Sequence, residues 1–372
     1  VSKKKNSLKD SIEDRLSKEE SSDNSDSVYL STSSPLLDYR LADRLPGGFK
    51  IGKFINIYGK EGIGKTAICL TLLAEAANDP YFDDYKLIYD DAEVASEFDI
   101  ERNFGSKLAG RLTSPNSPTK ENPTGCSLTS EEFYQNILNS LKGTKPVIYI
   151  LDSLNALYSL EDKKRADKFQ KEGEAGGSYG GAAYKLYSEM FRVIKGEVKR
   201  TKSIVIIVTQ TRAKFDAAKF ESKDAGTGGS ALKFYVSYIL SLSSKKQIKT
   251  EYEAVSEIVG REVIVATKKN KATGKKSRVQ IDIYDSYGID GITPTIDFLI
   301  KTKHIKKDER KEKGKTIWSK KYIFKDFIGY KKEIVDFIEQ NPENRKLLDE
   351  MVITACKQMD EALKLPRKKK YE

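Results

Sequence analysis

Short apolar, β-branched runs recur along the first two thirds of the chain without polar alternation: KFINIY at 53–58, KLIY at 86–89, PVIYIL at 146–151 and SIVIIV at 203–208. A strand with apolar residues on both faces is covered on both faces, so these runs predict interior strands of a mostly parallel sheet with helices on each side. Helical stretches separate them, foremost TAICLTLLAEAA after the first run. Beyond residue 229 the pattern changes. REVIVAT (261–267) and RVQIDIYD (278–285) flank KATGKK, and Val279, Ile281 and Ile283 alternate with polar residues, which predicts a hairpin on the sheet margin. From about residue 289 the period shortens and lysine becomes frequent, with helices predicted at 331–339 and 343–363. At the other end, Leu8, Ile12 and Leu16 in LKDSIEDRLSKEE follow i, i+4 spacing and predict a short amphipathic helix with too little apolar surface to stand alone. The polar tract SSDNSDS and a short strand, VYL at 28–30, follow it and complete an arm. The pattern therefore predicts an α/β protein with an arm over 1–30, a core over 31–288 and a small C-terminal domain over 289–372, ending in the basic tail LPRKKKYE.

Composition narrows the partners. The 372 residues include 66 Lys and Arg against 55 Asp and Glu, a formal charge of +11, and 38% hydrophobic residues suffice for a packed fold. A basic surplus attracts phosphate backbones, although a lysine-rich composition gives the same charge without any partner. Cys69, Cys126 and Cys356 lie far apart and His304 stands alone, so neither a disulfide framework nor a zinc site is expected. No apolar run approaches the roughly 18 residues that span a bilayer. The expectation is a protein of the cell interior with no membrane partner.

The chemistry centres on GKEGIGKT, the run Gly59, Lys60, Glu61, Gly62, Ile63, Gly64, Lys65 and Thr66, which leads through Ala67 into the apolar helix. Glycine, four residues, then Gly-Lys-Thr between a strand and a helix is the phosphate-binding loop pattern. Glycines let the backbone N–H groups turn inward, the lysine reaches the outer phosphates, and the threonine hydroxyl holds Mg²⁺. PVIYIL ends in Asp152, a carboxylate suited to the same metal, with Ser153 next. KLIY runs into Asp90, Asp91 and Glu93, and spacing alone leaves the hydrolytic base open among these acids. SIVIIV ends in Thr209 and Gln210, placing an amide at the phosphate edge of the sheet.

In order, GKEGIGKT, YDDAE, YILDSLNAL, VTQTRAKF, GTGGSALKFY and TKKNKATGKK resemble the RecA-type recombinases, particularly their bacterial and phage branch, from about residue 31 to about 300. The resemblance implies a RecA-like P-loop NTPase core, an N-terminal oligomerisation arm and a small C-terminal α/β domain. It implies ATP and Mg²⁺ as cofactors, with Glu93 activating water and Gln210 reading the outer phosphate. Lys269 and Lys271 would reach into a neighbouring subunit's ATP, and Phe234 would sit at the subunit interface. Loops at 161–183 and 211–229 would bind single-stranded DNA, with Tyr179 and Phe215 wedging between bases and Lys185, Arg212 and Lys214 on phosphates, beside Thr227, Gly228, Gly229 and Ser230. The implied partners are single-stranded DNA, homologous duplex DNA, a helical homopolymer of the chain itself, and single-strand-binding or loader proteins, in the cytoplasm of a bacterial or phage-infected cell. The function expected is an ATP-dependent strand-exchange filament, against a hexameric helicase or a non-hydrolysing mediator. Two departures stand out, a longer and more lysine-rich first loop and a basic rather than acidic tail.

Overall fold

The computed structural model describes residues 27–94, 98–161, 164, 181–211, 229–253, 255–286, 288–312 and 315–364. The predicted helix over 8–20, the basic tail and most of both loops lie outside them.

Strand β1 (Tyr29–Leu30) pairs antiparallel with β2 (Phe49–Lys50) across helix α1 (Pro35–Ala42). The core strands follow: β3 (Lys53–Gly59), helix α2 (Lys65–Asn78), β4 (Lys86–Asp91), short helices α3 (Ile100–Phe104) and α4 (Ser106–Ala109), and β5 (Leu112–Thr113). Helix α5 (Ser130–Lys142), β6 (Val147–Asp152), helix α6 (Gly181–Arg200), β7 (Ile204–Gln210) and helix α7 (Gly229–Tyr235) come next. A long hairpin, β8 (Tyr238–Tyr252) and β9 (Val255–Asn270), leads to β10 (Arg278–Tyr284) and β11 (Gly288–Asp290). The remainder is helix α8 (Ile292–Lys301), strands β12 (Lys306–Glu312), β13 (Lys315–Phe324) and β14 (Phe327–Gly329), and helices α9 (Lys331–Glu339) and α10 (Pro342–Ala362).

Nine strands form one sheet in the order β11-β10-β9-β8-β3-β7-β6-β4-β5. Strands β8, β3, β7, β6, β4 and β5 run parallel, while β9, β10 and β11 are added antiparallel at the margin. The interior strands are those with unbroken apolar runs, and every residue of β6 is buried. One face packs Ile55, Ile57, Ile148, Ile150, Ile204 and Ile206 under α2. The other packs Tyr149, Leu151, Val205 and Ile207 with Phe133 of α5 and Phe191 of α6. Each such side chain contributes about 1.5–3 kcal/mol on burial, so the alternating faces hold two helical layers on one sheet. The apolar cluster under α2 continues through Ile296 and Leu299 to Phe324, Ile334, Leu348 and Val352, joining the C-terminal helices to the sheet. β12, β13 and β14 form a separate antiparallel sheet.

Asp38 of α1 fixes the chain where it enters the core. Its buried carboxylate accepts bonds from the Thr32 N–H (2.7 Å), the Thr32 hydroxyl (2.6 Å) and the Ser31 hydroxyl (2.7 Å). Burial outweighs these bonds and raises its pKa from 3.8 to about 6. The folded state then binds more protons than the unfolded one between these values. This contribution to stability is full below pH 4 and lost as pH rises through about 6. Urea titrations at pH 4.5 and pH 7 are expected to show wild type losing about 2 kcal/mol more than Asp38→Asn over that interval. Equal losses would contradict the assignment.

Candidate nucleotide site

Four parallel strands end at one edge of the sheet and deliver the site. β3 ends in Gly59 and turns into the loop 59–66, β4 leads to Glu93, β6 ends in Asp152 and β7 in Gln210. The loop can curl only because of its glycines. Gly62 and Gly64 have φ of +66° and +100°, and a Cβ on Gly64 would lie 2.7 Å from Ile283 Cδ1. Gly64 is also the N-cap residue of α2, so that helix directs its unpaired N–H groups and positive end at the enclosed space. Lys60, Glu61 and Gly62 are exposed at the outer turn, while Ile63 and Ala67 are buried and anchor the loop.

Around this loop lies a cavity of about 260 Å³ lined by Lys65, Thr66, Glu93, Asp152, Gln210 and Arg261 among others. Phe98, Phe104, Ile283 and Tyr284 make part of its wall apolar and aromatic. A larger cleft of about 830 Å³ lies by β5, but it contains none of these groups. The Lys65 amine bonds to the carbonyls of Lys60 (2.9 Å) and Gly59 (3.4 Å). Burial lowers its pKa, and Asp152 and Glu93 oppose that shift. Thr66 Oγ1 donates to Asp152 Oδ2 at 2.7 Å, and Tyr89 OH donates to the same oxygen at 3.0 Å. Burial raises the Asp152 pKa against the pull of these two bonds. A hydroxyl and one carboxylate are hard oxygen donors of the kind that share Mg²⁺ with phosphates, so the residues fit that ion. No cluster of three or more acidic, His or Cys side chains offers an all-protein cage among the described residues.

The structure separates the acids that spacing left equivalent. Asp90 points away from the cavity: it is fully buried and accepts bonds from Ser127 N (2.7 Å), Ser127 Oγ (2.6 Å) and Tyr149 OH (2.5 Å). Glu93 lines the cavity, and Asp91 does not. Glu93 Oε1 accepts from Ser153 Oγ (2.5 Å) and from Gln210 Nε2 (2.9 Å), which joins the acid to the amide at the end of the next strand but one. The Gln210 backbone is held in turn by Asn155 Oδ1 at 2.8 Å.

Lys269 and Lys271 lie elsewhere. Lys269 of β9 is opposite Ile239, which in turn pairs with Asn56 midway along β3, and the Lys271 N–H bonds to the Ser237 carbonyl, whose own N–H bonds to the Phe54 carbonyl near the start of β3. Lys269 is therefore about 10 Å and Lys271 about 15 Å down the strands from the loop, at some 3.3 Å per residue, with Lys271 close to the opposite edge of the sheet. The Lys269 amine caps α7 by donating to the carbonyls of Lys233 (2.5 Å) and Phe234 (3.2 Å). Phe234 leaves α7 with 69% of its surface exposed. Of the expected DNA-contacting residues, Lys185 lies in α6, and Gly229 and Ser230 open α7. Tyr179, Arg212, Lys214, Phe215, Thr227 and Gly228 lie outside the described residues.

Sequence reasoning missed three contributors. Tyr89 is hidden in an apolar strand run, where a hydroxyl aimed at the next strand end has no signature. Asn155 lies in a turn after Asp152. Arg261 of β9 donates to the Gly62 carbonyl and lies 3.7 Å from Asp285, tying the antiparallel margin to the outer turn of the loop. Only the register of β9 against β10, with Arg261 opposite Ile283, brings it there.

The family described as the RecA N-terminal domain matches residues 5–290. The chain is 31% identical over 282 residues to Protein RecA of Laribacter hongkongensis, covering 75% of this chain and 70% of that protein. It is 31% identical over 280 residues to Protein RecA of Chlorobaculum parvum, with 75% and 71% covered. Against Protein RecA of Chloroherpeton thalassium it is 29% identical over 278 residues, with 75% and 69% covered.

Proposed function

The chain belongs to the RecA family, and on that premise we propose that it acts in DNA recombination and repair as an ATP-dependent strand-exchange protein, assembled as a helical filament on single-stranded DNA. The observation that carries this reading is a division between the two edges of the sheet. Loop 59–66, Glu93, Asp152 and Gln210 meet at one edge, while Lys269, Lys271 and the exposed Phe234 lie about 10–15 Å down the strands toward the other. Lysines so placed cannot serve their own chain's nucleotide, but they can serve that of a copy stacked head to tail.

In this mechanism the loop N–H groups and the start of α2 bind the phosphates of ATP, and Lys65 exchanges its loop carbonyls for phosphate oxygens. Thr66 and Asp152 would hold Mg²⁺, which supplies neutralising charge to the phosphates. Glu93 orients a water and accepts its proton, and Ser153 holds the carboxylate in place. Gln210 bonds either to Glu93 or to the outer phosphate, so loss of that phosphate changes the bonding of the residue that opens loop 211–229. Positioning and charge neutralisation carry the reaction. Lys269 and Lys271 of the next copy favour the ATP-bound interface, and through it the geometry in which loops 161–183 and 211–229 hold DNA. Homologous duplex is then recognised by base pairing. No helix among the described residues is long and apolar enough to cross a membrane.

The test is ATP hydrolysis with and without single-stranded DNA for wild type, Lys269→Ala, Glu93→Ala and an equimolar mixture of the two variants. Each variant alone is expected to lose most DNA-stimulated turnover, and the mixture to recover part of it, because the defects fall on opposite sides of one interface. A mixture no better than its components would sink the bridging model. Electron microscopy with ATP and DNA should show open filaments rather than closed rings.

A pH effect follows. Burial, Lys271 and Lys195 lower the Lys269 pKa from 10.5 to about 8. In the free protomer the charged amine is disfavoured, and stability returns as pH rises through 8 towards 10.5. Contact with a neighbour's phosphates favours the protonated form, so assembly takes up a proton. Light scattering is expected to show ATP-dependent assembly weakening between pH 7.5 and 9, with Lys269→Arg removing most of that slope.

A further inference from the structure

Beside the two bridging lysines the opposite edge of the sheet carries a cationic hollow of about 340 Å³. Lys53 at the start of β3, Arg192, Lys195 and Lys199 of α6, Tyr235 at the end of α7 and Ser237 line it. Lys271 is tied to its rim, since its N–H bonds to the Ser237 carbonyl. Arg192, Lys195 and Lys199 are exposed. Their helix places them one turn apart on one side, at i, i+3 and i+7. None of Lys53, Arg192, Lys195 or Lys199 has an ion pair with an acid among the described residues, although nearby Glu197 is paired with Arg200 at 2.6 Å. The crowding carries a cost: Lys53 holds its proton less tightly than usual because of burial first, then Lys50, Lys199, Lys195 and Lys271. Like charges kept this close, with no ion pair to an acid among the described residues, are offered to an external anion.

We propose that Lys195, flanked by Lys53 and Lys199, extends the pair Lys269 and Lys271 into a cationic socket for the mouth of the nucleotide site on a second copy of this chain. The inference rests on the filament reading above and adds to it the residues that set the strength and salt dependence of the contact. Charge complementarity selects the occupant. The cavity at the other edge is lined by Glu61, Glu93, Asp285 and the buried Asp152 against Lys65 and Arg261, an excess of acids to which ATP adds its phosphates. Head-to-tail stacking brings the two edges together. Lys195 also lies near enough to Lys269 to lower its pKa, so the hollow and the bridging pair act as one field. Phe234 supplies an exposed apolar anchor on the same edge, and a desolvating neighbour strengthens charge contacts at its margin. Release of the outer phosphate removes anionic charge from the mouth, so the socket binds the ATP state of the neighbour more tightly than the ADP state.

The experiment compares wild type with Lys195→Glu and Lys195→Arg, each first checked for an unchanged melting temperature. ATP-dependent assembly is followed by light scattering from 50 to 300 mM salt without DNA, and then turnover with single-stranded DNA. Lys195→Glu is expected to weaken DNA-free assembly by about tenfold or more and to flatten its salt dependence, with Lys195→Arg close to wild type. Mixing Lys195→Glu with Glu93→Ala should partly restore turnover, because each variant keeps the face the other lacks. Lys195→Glu assembling as wild type while Lys269→Ala does not would overturn the socket and leave the bridging pair standing. Normal DNA-free assembly with a tenfold loss of DNA affinity would also overturn it and assign the hollow to nucleic acid. Should Lys269→Ala and Lys195→Glu both behave as wild type, the filament reading itself fails.

Discussion

Glu93→Ala is expected to lower DNA-stimulated ATP turnover by about two to four orders of magnitude, the usual range for loss of a positioned general base. The fold should not suffer, because Glu93 is exposed and its loss frees Ser153 and Gln210 at the edge of an open cavity rather than in a core. Nucleotide affinity should remain within severalfold of wild type, since Lys65, the loop N–H groups and Thr66 are untouched. A fall confined to kcat, with ATP affinity measured directly by equilibrium binding, would show an interaction made chiefly in the transition state. Retention of more than a tenth of the turnover would remove Glu93 from the proposed role. Glu93→Gln is the sharper control: it keeps the size of the side chain and can still contact Ser153 and Gln210, yet it cannot accept the proton.

Asp90→Ala, three residues earlier in the same run, is expected to fail in the opposite manner. Asp90 is wholly buried, and its loss leaves the Tyr149 hydroxyl and the Ser127 N–H without their acceptor inside the layer between the sheet and α5. Each stranded group costs about 1–3 kcal/mol, so a destabilisation of roughly 3–5 kcal/mol should appear in the urea midpoint. Tyr149→Phe in the Asp90→Ala background should return part of that loss by removing one stranded hydroxyl. Soluble Asp90→Ala protein should retain turnover per folded molecule. If it instead folds as wild type and loses turnover, the two carboxylates have exchanged roles.

The contrast between these two acids shows how the sequence and the structure divide the problem. YDDAE offers three carboxylates at a strand end, and pattern alone gives no preference among them. Strand alternation sends Asp90 to the face covered by α5, where Ser127 and Tyr149 await it, and the turn after β4 returns Glu93 to the cavity. Ser127 and Tyr149 are 37 and 59 residues away in the chain, so no local signal could reveal that Asp90 is structural. Strand β8 was equally hidden: its second half, KKQIKTEY, is lysine-rich and lacks an alternating apolar face because it pairs with β9 beyond the reach of β3. Strands β12 and β13 carry so much charge that the local pattern concealed them as well. The four apolar strands, the hairpin from 261 to 285 and both late helices were legible, since their periodicity is set by burial that neighbouring residues share.

What the sequence by itself determined is what depends on near neighbours: the phosphate loop with its glycines, the apolar strands that demand helices on both faces, and the acids and amide that end those strands. What only the tertiary structure decided is which end of the sheet each group occupies. That Glu93 touches Gln210 while Lys269 and Lys271 lie well down the strands from the loop follows from strand order and direction. These are fixed by packing between segments up to two hundred residues apart, and a linear pattern does not encode that distance.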